Sequence, residues 1–159
     1  MDQPNSNPRP GYLIYRATRL FVKIIDQKLK PHKVASGQIP VLVLLNKVGP
    51  MTQADLAKSS EVEQPSMAQL LGRMERDGLI HRTPDPSDGR SSLIHLTVMS
   101  EGLVSKVTQT LTEVNDQAYK GFTEDEQATF KKMLSLIISN LEEGSETSEI
   151  PTPATQKTP

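Results

Sequence analysis

The chain contains no cysteine, which removes disulfides, zinc–thiolate centres and thiol redox sensing together. It has no run near the roughly 18 consecutive apolar residues that a membrane-spanning helix needs. The opening MDQPNSNPRP holds no apolar segment of the kind that directs secretion. A soluble, cytoplasmic protein without a membrane partner is expected. No nucleophile stands beside a base, and Gly49, Pro50 and Gly89 are isolated turn residues rather than a glycine-rich phosphate loop. The histidines are His32, His81 and His95; the last two fall on facing strands of an expected hairpin, with no third ligand nearby for a metal. No enzymatic activity, metal or cofactor is expected.

Charge of one sign is also scarce. The formal net charge is −1, too little to drive indiscriminate binding to a polyanion, but the charges are unevenly spread. Residues 1–47 carry eight Lys/Arg against two acids, residues 48–100 five against seven, and residues 101–159 five against ten. The acidic C-terminal part would be kept away from phosphates, while Arg73, Arg76, Arg82 and Arg90 cluster in the middle of the chain. Selective contacts should therefore outweigh bulk charge.

What is present in that middle is a helix with marked ends. Pro65 to Asp77 (PSMAQLLGRMERD) starts on a proline, tolerated in the first turn because its missing N–H would be unpaired there, and is closed by Gly78. Met67, Leu70, Leu71 and Met74 recur at three- and four-residue spacing and form a buried stripe, leaving Ser66, Gln69, Arg73 and Arg76 outward. Upstream, Thr52 to Ser59 reads as a short helix with Thr52 as N-cap and Asp55 completing a loose capping box. The turn Ser60 to Glu63 joins the two into a helix-turn-helix, whose second helix is shaped to enter a major groove. Two short amphipathic helices of an ordinary helical domain would share this pattern.

Downstream, Leu79 to Thr83 and Ser91 to Leu96 suit strands, separated by the turn-forming stretch Pro84 to Arg90. A hairpin directly after a helix-turn-helix is a wing, and Arg90 near its tip is placed to reach a minor groove. Asp88 would pair with a guanidinium or hold Arg90 in register; a plain surface loop pair is the alternative. The candidate DNA-binding residues are Gln64, Ser66, Gln69, Arg73 and Arg76 on the helix, with Asp88 and Arg90 on the wing.

These residues resemble the MarR family of bacterial winged helix-turn-helix regulators. The likeness rests on Thr52-Gln53-Ala54-Asp55-Leu56-Ala57, on Met74-Glu75-Arg76-Asp77-Gly78-Leu79-Ile80, and on Arg82, Asp88, Arg90 and Leu96-Thr97. It implies a mainly α (α+β) fold, a winged helix-turn-helix with N- and C-terminal helices forming a dimerisation domain. It also places an Asp-x-Arg pair, here Asp88 and Arg90, at the wing tip. The oxidation-sensing branch of that family relies on a cysteine, a mechanism closed to this chain. One departure is Gly102, which comes late after Val98 to Glu101, so the next helix is expected to start near Ser100.

On either side lie helical stripes. Residues 1–10 read as a disordered arm. Gly11 to Lys30 carries Leu13, Ile14, Ala17, Leu20, Phe21, Ile24 and Ile25 on one face, and a helix from about Ser36 to Lys47 is apolar almost all round. About Ser100 to Gly121 carries a heptad-like seam of Val104, Val107, Leu111, Val114 and Ala118. Thr123 and Glu126 form a capping box before a last helix to about Glu142, and a polar tail follows from residue 143. The winged helix-turn-helix is thus placed at 36–97, and residues 11–35 and 98–142 form the helical region for a two-fold homodimer; an intramolecular bundle is the alternative.

The function expected is a sequence-specific regulator of transcription, a dimeric repressor that binds an inverted-repeat operator in double-stranded DNA and is released by a small effector. The alternative is a winged-helix module that binds protein and no DNA. The resemblance implies an aromatic or phenolic acid as effector; Tyr12, Tyr15, Arg16 and His32 have suitable chemistry, and serve equally well as packing and surface residues.

Overall fold

The computed structural model describes residues 8–146. The rest of the expected arm and tail, residues 1–7 and 147–159, lies outside the described residues. Two expected boundaries move: Pro10, read as part of the arm, opens the first helix, and residues 143–146, read as tail, continue the last. The chain falls into two units, one ending at Ala118 and one beginning at Tyr119.

In the first unit helix α1 spans Pro10–Leu29 and ends in a 3₁₀ turn, Lys30–His32. A second 3₁₀ turn, Ser36–Gln38, leads into α2, Ile39–Val48. Its Val41, Leu42 and Leu45 are buried, so the helix read as apolar all round is the pillar of this unit. A two-residue strand β1, Met51–Thr52, precedes α3, Gln53–Ser59, and α4, Gln64–Arg76. Strands β2, Ile80–Pro84, and β3, Ser92–Leu96, form the hairpin, and α5 spans Val98–Ala118.

The sheet is antiparallel in the order β1-β3-β2. Strand β1 was not expected: its two residues are too few to show a period, and only the pairing of Met51 with Ile94 and Thr52 with Leu93 defines it. That pairing ties the exit of α2 to the base of the wing. Helix α5 begins two residues earlier than expected, directly after Thr97. Its seam also shifts, because Thr110 is buried along with Val104, Val107 and Val114 while Ala118 is exposed.

One core joins these elements. Leu29 from α1, Leu42 from α2, Leu56 from α3, Leu71 from α4, Ile80 and Ile94 from the hairpin and Val107 from α5 meet in it. Each fully buried aliphatic side chain of this kind contributes roughly 1.5–3 kcal/mol. The first two turns of α1 take no part: Tyr12, Leu13 and Tyr15 are exposed.

The second unit is α6, Glu124–Glu146, with the residues leading into it. Its start is closed as the capping box foretells, with Glu126 accepting the Thr123 N–H at 2.8 Å and Thr123 Oγ1 accepting the Glu126 N–H at 3.3 Å. Tyr119, Phe122 and Phe130 cluster there, Tyr119 meeting both phenylalanines edge-on at 5.8 and 6.1 Å.

Candidate nucleic-acid interface

Helix α3 is set by its cap: Thr52 Oγ1 accepts the Asp55 N–H at 3.1 Å and donates to the Asp55 carboxylate at 2.7 Å. The turn to α4 passes through Glu61 at φ +53°, a left-handed position filled without glycine. Helix α4 begins one residue earlier than Pro65, on Gln64, because Glu63 takes the cap position and leaves the proline second. Its end is a Schellman closure: the Gly78 N–H reaches the Glu75 carbonyl at 3.0 Å and the Leu79 N–H reaches Met74 at 2.8 Å, with Gly78 at φ +74°.

Between these ends Met67, Leu71 and Met74 are fully buried. Ser66 and Arg73 lie seven residues apart, as do Gln69 and Arg76, so each pair forms a row away from the buried stripe. All four are exposed, as is Gln64 at the helix start. Beside them Pro65, Ala68 and Gly72 form a flank of small, exposed residues. The outward face therefore combines hydrogen-bonding groups with a smooth strip that another backbone can approach.

The wing tip is built by two aspartates. Asp85 accepts the Ser87 N–H at 2.8 Å and hydroxyl at 2.6 Å, and these bonds, the hydroxyl foremost, hold its carboxyl below the usual carboxylate range. Asp88 accepts the backbone N–H of Arg90 at 3.0 Å while its carbonyl accepts that of Ser91 at 2.9 Å. The Asp88 carboxylate thereby fixes the backbone under Arg90.

The arginines fall into two kinds. Arg76 is held by its neighbour Asp77 at 2.9 Å, and Arg82 by Glu75 at 3.1 Å, which links β2 to α4. Arg73 on α4 and Arg90 on the wing form no ion pair among the described residues. Between helix starts and wing lies an open cleft of about 330 Å³, lined by Gln53, Gln64, Arg82 and Arg90 with Thr52, Ala54, Ser91 and Ser92. Gln53 Nε2 donates to Gln64 Oε1 across it at 3.2 Å. Gln53 and Arg82 line this cleft beside Gln64 and Arg90; Gln53 went unnoticed as a contact in the sequence, while Arg82 was grouped with the mid-chain arginines without being named a contact.

His81 and His95 stand opposite each other, their rings stacked with centroids 5.0 Å apart, and His95 Nε2 lies 2.8 Å from Thr83 Oγ1. Along α1, Tyr12, Tyr15, Arg16, Arg19, Leu20 and Lys23 line a depression of about 530 Å³. Of the residues considered for an effector, His32 does not line it.

Comparison with known proteins matches this geometry. Residues 35–92 fit the family model described as MarR family. A solved structure of the Staphylococcus aureus MepR–DNA complex is 27% identical, covering 84% of this chain and 99% of that one with a TM-score of 0.79. The matched segment of this chain, residues 35–92, is thus similar to the MarR family. A mutant of E. coli MarR complexed with operator DNA is 24% identical, with 86% and 99% of the two chains covered and a TM-score of 0.75. The transcriptional regulator SlyA is 21% identical, with 89% and 100% covered and a TM-score of 0.81; these two likenesses concern the fold. The fold is that of a MarR-family transcriptional regulator, a family of regulators rather than enzymes. The MarR-matching segment contains α4 and the whole wing tip, and ends at Ser92, before His95 and Thr97.

Proposed function

We propose that the chain is a sequence-specific DNA-binding regulator acting as a cytoplasmic homodimeric repressor on an inverted-repeat operator. The observation that carries this reading is the pair of arginines, Arg73 and Arg90, held out on α4 and on the wing without ion pairs among the described residues, flanking an exposed polar face. Helix α4 enters the major groove, where Ser66, Gln69 and Gln64 near its start read base edges and Arg73 grips guanine or a phosphate. Arg90 enters the adjacent minor groove. The DNA complexes of similar chains support the reading. The exposed apolar sides of α1 and α6 support dimerisation through the terminal helices, which sets two recognition helices about one helical turn of DNA apart or a multiple of it. An aromatic or phenolic acid acts as effector, since the α1 depression sets phenol rings beside guanidinium groups.

The test is a gel shift on random and genomic duplexes at two salt concentrations. Binding should weaken steeply with salt, with a log–log slope of about −0.9 per phosphate contacted. Arg90→Ala should cost about 1–3 kcal/mol per half-site, most on A·T-rich flanks, and Arg73→Ala a similar amount whatever the flank. Salt-independent binding to protein alone would favour the protein-interaction alternative. Arg90→Ala binding every flank as tightly as the parent would make the wing a structural hairpin only.

A further inference from the structure

We propose that Thr97 and Ser100, outside the family-matching segment, are positioning residues of the DNA reader: one hydroxyl pair that closes the exit of α4 and the start of α5 at the same time, and so fixes the angle between them. The inference rests on the DNA-binding reading above.

Thr97 is the N-cap of α5, its carbonyl accepting the Glu101 N–H at 3.0 Å. Its hydroxyl oxygen accepts the Ser100 N–H at 3.3 Å, and Ser100 Oγ accepts the Thr97 N–H at 3.0 Å, a reciprocal capping box with serine in the third helical position. Each hydroxyl then still has one proton to give. Thr97 Oγ1 donates to the Gly78 carbonyl at 2.8 Å, and Ser100 Oγ donates to the Leu79 carbonyl. Gly78 and Leu79 are the two residues whose N–H groups close the Schellman end of α4. One cap thus serves two helices. An ionised glutamate in the third position, common in such boxes, has no proton to donate and would close α5 alone.

The Ser100 side of the joint is also dry. Ser100 is fully buried, so water cannot take over its bonds without a change in packing, and a lost partner leaves a buried polar group unpaired. Helix α4 and the wing hang from this joint on one side, and α5 leaves it on the other. In a dimer assembled through the terminal helices, the angle at the joint sets the separation of the two recognition helices. One base pair moves a half-site by about 3.4 Å and turns it by about 35° around the duplex, so a fixed angle appears as a strict spacing preference.

The experiment uses the full chain and a duplex that it selects from a random pool, together with copies of that duplex lengthened or shortened by one base pair between half-sites. Thermal melting is run in parallel. The wild type should lose about tenfold or more in affinity on the altered spacings. Thr97→Val, which keeps the shape and deletes the hydroxyl, and Ser100→Ala should bind the altered spacings within about threefold of the original. Thr97→Ser, which keeps the hydroxyl, should retain the wild-type preference. Should Ser100→Ala not fold, Thr97→Val against Thr97→Ser decides the matter. A Thr97→Val protein that melts lower but keeps the wild-type spacing preference would overturn the inference and leave the joint a stabilising cap. A wild type that selects no duplex would sink the DNA reading itself, a separate and recognisable failure.

Discussion

Helices α4 and α6 carry apolar stripes of similar make and end differently. In α4 Met67, Leu71 and Met74 are 0% exposed. In α6 Phe130, Met133, Leu136, Ile138 and Leu141 are 41–69% exposed, and α1 shares that condition at Leu13 and Leu20. The difference shows which surfaces the chain completes by itself. The winged module needs nothing further, since its neighbours in sequence supply its core. Rows of large apolar side chains left in water are uncommon in a self-sufficient monomer, which accords with the homodimer proposed above.

The comparison breaks most visibly under truncation. Leu71→Ala should lose about 2–5 kcal/mol at any protein concentration, because the cavity lies within one chain. Ile138→Ala should cost under about 0.5 kcal/mol in an isolated chain, yet lower the melting temperature of a dimer in a concentration-dependent way. Denaturation at two protein concentrations, with light scattering alongside, separates the cases. A wild type that is monomeric at micromolar concentration and an Ile138→Ala protein that is neutral throughout would remove the second copy from the account.

A finer probe is Gly72, because it asks whether the outward side of the self-sufficient module also awaits a partner. A Cβ added there meets nothing within 4 Å, and glycine inside a helix is about 0.5–1 kcal/mol worse than alanine. Gly72→Ala should therefore stabilise the free protein by about that much. If duplex backbone closes on the flank of Pro65, Ala68 and Gly72, the same substitution should weaken DNA binding. Paired melting and gel-shift measurements check both halves; tighter binding would show that the flank stays clear of DNA.

The smallest effect concerns what orders α6, where local bonds stand in for burial. The Thr123 N–H and then its hydroxyl hold the Glu126 carboxyl below its ordinary value of 4.5. Since the folded value is the lower one, the cap's contribution is present above about 4.5 and fades as pH falls through the depressed value. The Thr123 amide shift, followed by NMR, should titrate with a midpoint under 4.5, and Glu126→Gln should flatten that curve. A midpoint at or above the ordinary value would mean the cap is not formed in solution.

Local chemistry was legible along the chain wherever it decides the outcome. Thr52, Gly78 and the Thr123–Glu126 box act where side-chain type and spacing place them. The helix-turn-helix, the hairpin and the core stripe of α4 follow from the same kind of pattern. Illegible features depend on approach between distant segments. Two residues of β1 have no period, and Thr110 is buried only because of the way α5 lies against its neighbours. In the candidate site, the exposure of Ser66, Gln69, Arg73 and Arg90 could be read from periodicity and turn composition. The Gln53–Gln64 bond, the Glu75–Arg82 pair and the Thr97–Ser100 joint each span elements whose mutual angle no single stretch encodes.

The order β1-β3-β2 leaves the small sheet with two free margins, and neither invites extension. On one side β1 offers only Met51 and Thr52, too short a row of amides to template another chain. On the other, β2 ends in Pro84, which has no N–H to give. Strand-by-strand growth is disfavoured at both margins. The hairpin can thus stand out from the body on a polar tip and remain soluble when molecules crowd together, so crowding should not turn it into a seed for fibres.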